Sequence, residues 1–267
     1  VGIESQPVDA RSWGGSPAIG EAELRRLRHA LGGATRPLAT LDFWQDDDSW
    51  LMFSGVDNAD YNLAMLGGQH ASVQAERVLE AVERHGVPAM VFLPPGATSA
   101  GDVLAAAGWA HVRDVPFMRQ YPRRSAHDPH ARLLTIEDIP AARDCVTDAF
   151  AGPDSLGRAL FNEAVLSRAD AIAWGIFDPG GELVGCGLAT IGPEAFSAWG
   201  MGVRRTARRS HAALSLTQLA FDLAARYDEA RPILFNATDL GERLHLALGG
   251  EVLERWQLWT RRRWVLG

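Results

Sequence analysis

Apolar positions in the second half of the chain follow a regular series of strand and helix periods. Residues 132–136 alternate like a short strand, and Thr135 is placed to cap a helix over 137–150. A second helical stretch is read at 155–167. Ala171–Phe177 and Leu183–Ile191 read as strands on either side of the Asp-Pro-Gly-Gly-Glu stretch at 178–182, a hairpin with strong turn chemistry. Gly192 and Pro193 break the chain before a further strand at 195–203. An Arg-rich turn leads into an amphipathic helix over Ala212–Tyr227, with Leu216, Leu219, Ala220 and Leu223 on one face. Residues 232–236 form a short apolar strand, 240–248 a helix stopped by Gly249 and Gly250, and 251–262 a closing alternating strand. The predicted order is β-α-α-β-β-β-α-β-α-β.

The first half repeats that order faintly. A helix is expected at 21–31, strands at 38–44, 50–54 and 61–66, and an amphipathic helix at 72–85. An apolar strand at 87–93, a helix at 100–107 ended by Gly108, and a strand at 109–120 complete the series. Leu104 to Trp109 parallels Leu244 to Gly249, each a helix stopped by Gly near the end of its half, and duplication explains both. Residues 121–130 hold two prolines, small polar residues and no apolar period, so they read as the linker. The expected domains are therefore 1–125 and 126–267, each of ordinary size.

Composition narrows the chemistry. At 267 residues and 47% hydrophobic content the chain can bury a sizeable core. It has no apolar run of the roughly 18 residues needed to cross a bilayer, and its start lacks a signal-peptide pattern. Two cysteines, Cys145 and Cys186, argue against a disulfide framework or a Cys-rich metal site and for a reduced, cytoplasmic setting. Cys186, on a central strand, reads as a buried structural thiol, and the His127 and His130 pair as part of the linker, so no metal is expected. All 26 basic residues are Arg, which excludes a Schiff-base lysine or a Walker-type phosphate lysine. Any anion site must use guanidinium, His or backbone N–H groups. The net charge of −7 argues against a general nucleic-acid binder.

The Arg-rich turn then gains meaning. A strand ends at Val203, Arg208 follows five residues later, and His211 and Ala213 open the helix that carries Leu216. This spacing resembles the acyl-CoA-binding signature of the GNAT superfamily of N-acyltransferases, Arg/Gln-x-x-Gly-x-Gly/Ala. A helix N-terminus with small residues suits a pyrophosphate, because unpaired N–H groups and a partial positive charge face it. His211 stands where the family has Gly, and the proline usual near Arg205 is absent. Downstream, Asn236 and the segment His245 to Gly249 resemble the family's Asn-x-x-Ala-x-x-Leu-Tyr-x-x-x-Gly stretch, with His245 at the Tyr position.

The resemblance implies an α/β (α+β) fold of two tandem GNAT-like domains, each a mixed, mostly antiparallel sheet flanked by helices, the first degenerate. It implies acetyl-CoA or another acyl-CoA as co-substrate, a small-molecule amine as acceptor, and no membrane partner. Val203, Arg204, Arg208, Arg209, His211, Ala212, Ala213 and Asn236 are then the candidates for holding the donor. His245 is the candidate acid for the leaving thiolate, and Glu194, just before the strand, is the nearest carboxylate for a base. The bland alternatives are a solvated basic turn, a helix-face His, a capping Asn and an exposed turn Glu. His211 reads three ways: phosphate donor, plug or cap.

In the first half Gly67, Gly68, Gln69 and His70 occupy the matching turn without any Arg, so an intact second donor site is not expected. The Asp46–Asp48 run reads as a solvated loop, with contact to a cationic acceptor as the sharper option. Two other functions fit the same fold. An aminoacyl-tRNA-dependent transferase would use Arg255, Arg261, Arg262 and Arg263 with Trp256, Trp259 and Trp264 as a basic aromatic strand. A non-catalytic acyl-CoA binder would need no base.

Overall fold

The computed structural model describes residues 19–126, 128–208 and 211–264. The first series of elements is α1 (Glu21–Thr35), β1 (Asp42–Gln45), β2 (Ser49–Phe53), β3 (Asn62–Leu66), α2 (Ala71–His85), β4 (Met90–Leu93), α3 (Thr98–Ala106) and β5 (Ala110–Gln120). The second opens with β6 (Ala131–Leu133), α4 (Ile139–Phe150), α5 (Asp154–Leu160), α6 (Glu163–Leu166) and β7 (Ala171–Phe177). It continues through β8 (Leu183–Ile191), β9 (Phe196–Val203), α7 (Ala212–Tyr227), β10 (Ile233–Asn236), α8 (Asp239–Ala247) and β11 (Glu251–Thr260).

The elements match the apolar pattern closely; α1 runs on to Thr35, β4 starts only at Met90, and three further departures have a local cause. Residues 155–167 form two short helices because Asn162 starts a new one, its side chain accepting from the Val165 N–H at 2.9 Å. The helix read from 137 begins instead as a 3₁₀ turn, Ile136–Asp138, closed by a reciprocal Thr135–Asp138 capping box. The strand read from 38 starts at Asp42, since Pro37 sets a 3₁₀ turn over Arg36–Leu38.

Among the described residues the strands form one sheet in the order β1-β2-β3-β4-β11-β5-β10-β9-β8-β7-β6. Each half is antiparallel up to a single parallel step, β3 beside β4 and β9 beside β10. The closing strands then change places. β11 lies against β4 of the first half, β5 lies against β10 of the second, and the two pair with each other. Trp256 anchors the exchange, fully buried and stacked on Phe117 with ring centroids 4.3 Å apart. Arg28 of α1 forms a buried ion pair with Glu254 of β11, and the Trp256 indole donates to the same carboxylate at 2.9 Å. Every partner of that pair is supplied, as a charge taken out of water requires.

Helices cover both faces. Leu27 and Leu31 of α1, Val146 of α4 and Leu160 of α5 join Met52, Met65, Leu188 and Leu234 in one core. On the opposite face α2 and α3 pack on Leu51, Ala64 and Val91, while α7 packs on Trp174 and Ile176. No described helix is long and apolar enough to cross a membrane.

Candidate active site

β9 and β10 are paired at two positions, Phe196 with Ile233 and Ser197 with Leu234, and then part. Both strands have a local reason to diverge. β9 slips register against β8 between Leu188 and Cys186, where Gly200 adopts a φ of +53°. A Cβ there would lie 2.2 Å from Leu160 Cδ1, so only Gly fits. β10 stops at Asn236, opposite Phe117, and the next residue of β5 is Pro116, which has no N–H to extend the ladder. The Asn236 amide donates instead to the Pro116 carbonyl at 3.1 Å.

A cavity of about 390 Å³ opens at this gap. Leu31 and Thr35 of α1 and Leu156 of α5 wall it on one face of the sheet, Phe235 and His245 on the other. The cavity therefore passes through the sheet where its strands separate. Its remaining walls come from both halves, including Asn58, Asp60, Tyr61 and Arg113 of the first and Trp199 of the second.

His245 projects from α8 and is buried against the Phe235 ring, centroids 4.3 Å apart. Its Nδ1 lies 2.9 Å from Gln120 Oε1, while Gln120 Nε2 donates to the Leu248 carbonyl at 2.8 Å. That second bond fixes the amide, so Nδ1 carries the proton and Nε2 keeps the lone pair. Burial lowers the imidazole pKa to about 4, which makes His245 neutral near pH 7.

Asp60 sits on a 3₁₀ turn, Ala59–Tyr61, and its N–H donates to the Asn58 side-chain oxygen at 2.9 Å. Buried Asn62 locks the loop: its amide donates to Val56, Asn58 and Pro88 carbonyls, and its oxygen accepts from the Gly55 N–H at 3.0 Å. Asp60 is exposed at the cavity rim, yet the protein around it displaces enough solvent to raise its pKa, with the Arg113 charge opposing. Burial also pushes the Tyr61 phenol well above its ordinary value, so it stays protonated. Tyr61 and Trp199 face each other across the halves with centroids 6.4 Å apart.

The Arg-rich turn lies beyond the end of β9. After Val203, the Arg204 N–H pairs with the Val184 carbonyl and its Nε donates to Leu183 O, each at 2.8 Å. Arg205 is bound to Asp148 through its backbone N–H at 2.7 Å and its Nε at 3.1 Å. Arg208 donates to the Ala149 carbonyl at the end of α4. Arg209 and His127 lie outside the described residues. His211 precedes α7, exposed, without a side-chain bond that caps the helix, and Ala212 and Ala213 form its small first turn.

Asn236 and His245 thus meet at the cavity, and residues 203–208 and 211–213 lie at or beyond the far end of β9. Glu194 does not join them. It sits on the turn between β8 and β9, half-exposed and ion-paired with Arg26 of α1 at 3.1 Å. Asp60, Tyr61, Arg113 and Trp199 were not expected from the sequence.

In the first half a Cβ on Gly68 would stand 2.5 Å from Asp48 Oδ2, and one on Gly67 2.6 Å from the Asp48 carbonyl oxygen. The matching turn is therefore filled by Asp48. In the basic aromatic segment considered for tRNA, Trp256 is buried, Arg255 is exposed but paired with Glu242, and Arg261 and Arg263 lie against Trp264. Cys186 is buried, its thiol 3.6 Å from the Ala142 carbonyl.

No family model and no curated protein matches the chain. Solved structures do. A GCN5-related N-acetyltransferase from Kribbella flavida is similar over 91% of this chain and 96% of its own, with a TM-score of 0.64 and 18% identity. One from Sphaerobacter thermophilus is similar over 88% and 90%, with a TM-score of 0.53 and 18% identity. A GCN5-related N-acetyltransferase-like protein from Streptococcus suis is similar over 90% and 99%, with a TM-score of 0.55 and 16% identity. The fold is the GNAT fold, carried by two similar halves in one sheet.

Proposed function

With the GNAT fold as premise, we propose that this chain is an N-acyltransferase that moves an acetyl or other acyl group from acyl-CoA to the amine of a small metabolite. The observation that carries the reading is the cavity through the parted β9 and β10, with the N-terminus of α7 beyond the end of β9. That helix end carries a partial positive charge that favours an anion, and Ala212 and Ala213 are small residues in its first turn. Arg208 is the leading side chain to join it, exchanging the Ala149 carbonyl for a phosphate oxygen; Arg204, Arg209 and His211 are the further candidates.

The thioester arm would run along β9 past Asn236. Backbone N–H groups of β9 within the cavity would polarise its carbonyl, with Val203 towards the pyrophosphate end. The amine nitrogen attacks the carbonyl carbon directly in a ternary complex and the C–S bond breaks. One N–H proton moves to His245 Nε2 and from there to the departing sulfur, giving an amide and a free thiol. A neutral imidazole of low pKa fits this shuttle, because it releases its proton readily to a thiolate of pKa near 8.5. Glu194, paired on the outer turn, has no part in this route.

Calorimetry with CoA, followed by thiol release from acetyl-CoA across a panel of amines, tests the reading. Absence of CoA binding at millimolar concentration overturns it. Binding without thiol release removes the transfer step and leaves an acyl-CoA binder.

A further inference from the structure

Two charged side chains on the cavity wall play no part in the transfer chemistry above. Asp60 and Arg113 are the cavity's carboxylate and guanidinium, and both belong to the first half. The Arg113 charge acts on Asp60, and both side chains are exposed at the cavity rim; among the described residues neither is joined in an ion pair or by a side-chain hydrogen bond. Each is placed by its own element: Asn58 and Asn62 fix the loop under Asp60, and Arg113 is anchored on β5, opposite Leu258 of β11. Strand alternation puts Arg113 on the same face as Val115 and Phe117, the face that lines the cavity. The wall beside them is apolar, made of Trp50, Tyr61, Leu63 and Phe92.

We propose that this arm of the cavity is the acceptor subsite, and that its acceptor is a free α-amino acid with an apolar side chain. Asp60 receives the ammonium group, Arg113 the carboxylate through its two-pronged guanidinium, and the aromatic wall takes the side chain. The pairing also rejects. A diamine would bring a second positive charge to Arg113, and a dicarboxylate would bring a second negative one to Asp60. The fate of the bound amine rests on the acyl-transfer reading, but its binding does not.

The test is equilibrium binding to the full chain by calorimetry, without CoA. The probes are L-phenylalanine, phenethylamine and 3-phenylpropanoate, with L-leucine, isoamylamine and 4-methylpentanoate as a smaller set. In at least one set the amino acid should bind ten-fold or more tightly than either half-molecule. Arg113→Gln should weaken the amino acid ten-fold or more while leaving the amine unchanged or tighter, and Asp60→Asn should do the converse with the carboxylate. Both variants should keep the wild-type CoA affinity, which also reports that they fold. Equal binding of all three probes, no binding in either set, or an equal loss of amino acid and amine in Arg113→Gln overturns the proposal. If the amino acid binds as stated but CoA does not, the subsite stands and the acyl-transfer reading falls. If CoA binds and the probes fail, the subsite alone falls.

Discussion

The two halves place a strand-to-helix turn at the same point of the same fold, and the turns have opposite electrostatics. Beyond β9 the strands part after two paired positions, and the approach to α7 carries arginines and small residues. Beyond β3 the pairing with β4 runs through three positions, and the approach to α2 is filled by the Asp48 carboxylate. A helix N-terminus attracts anions in either place. In the first half the protein's own carboxylate fills the approach, and in the second the approach carries arginines instead. The first half has not become idle. Through Asp60, Tyr61 and the exchanged β5 it builds one wall of the other half's cavity.

Giving the second turn the chemistry of the first should produce the largest effect. Ala213→Asp places a carboxylate in the first turn of α7, where it favours the helix by about 0.3–1 kcal/mol. Against a pyrophosphate at about 4 Å it costs about 4 kcal/mol at an effective dielectric of 20. A folded, slightly more stable protein should therefore lose CoA affinity by two to three orders of magnitude in calorimetry. Undiminished affinity would place the phosphates away from α7.

A second contrast lies where each half's last helix meets its closing Gly. Four residues before Gly108 stands Leu104, fully buried, and four before Gly249 stands His245, also buried but titratable. The folded-state pKa of His245, about 4, lies below the ordinary 6.5. The unfolded chain therefore takes up this proton first as pH falls, and stability present above pH 6.5 is lost on the way down to pH 4. The loss between pH 7.5 and 4.5 should be about 2–3 kcal/mol. Urea unfolding at the two pH values should show that increment in the wild type and not in His245→Phe. The same low pKa predicts no fall in kcat between pH 8 and 5.5 from this imidazole, while His245→Phe should bind CoA normally and turn over slowly. An unaltered rate at saturating donor would end its role in proton transfer.

How much of this could be read beforehand depends on what apolar periodicity encodes. It encodes element type and buried face, so β7 and β8, α7 and β11 stand within a few residues of their expected places. It does not encode which strand lies alongside. β5 and β11 alternate correctly whether they close their own half or the other, so their exchange was invisible. Asn236 and His245 were legible because they belong to a spaced motif next to a helix stop. Asp60 and Arg113 were not, because one lies on a short polar loop and the other on the exchanged strand. The break within 155–167 shows the same limit on a smaller scale: Asn162 sits in a helical-looking stretch, and only its capping bond splits it.

A smaller effect is expected from trimming the second turn. Arg208 rests on the Ala149 carbonyl, so Arg208→Ala removes one neutral contact and one charged donor. CoA affinity should fall by about 1–3 kcal/mol, roughly 5- to 150-fold, as for one charge-assisted phosphate bond. Pantetheine, which lacks the pyrophosphate, should be unaffected. Equal losses for both ligands, or for neither, would take Arg208 off the phosphates.

The smallest effect is the most discriminating. Asp48→Ala empties the first half's turn of its carboxylate while keeping Gly67 and Gly68. The Arg25–Asp48 ion pair, 2.8 Å long and largely exposed, contributes little, so stability should change by less than about 1 kcal/mol. If a plug were all that separated the two turns, the variant would bind two CoA molecules per chain. Charge removal alone should not do this. Leu63, Ala64 and Met65 remain paired with β4, leaving no gap for a pantetheine arm, and the turn from Leu66 to His70 holds no arginine. The expected stoichiometry is one, with the wild-type affinity. A second site of any affinity would mean that strand separation follows the ligand rather than preceding it, and that Asp48 is what confines the donor to one half.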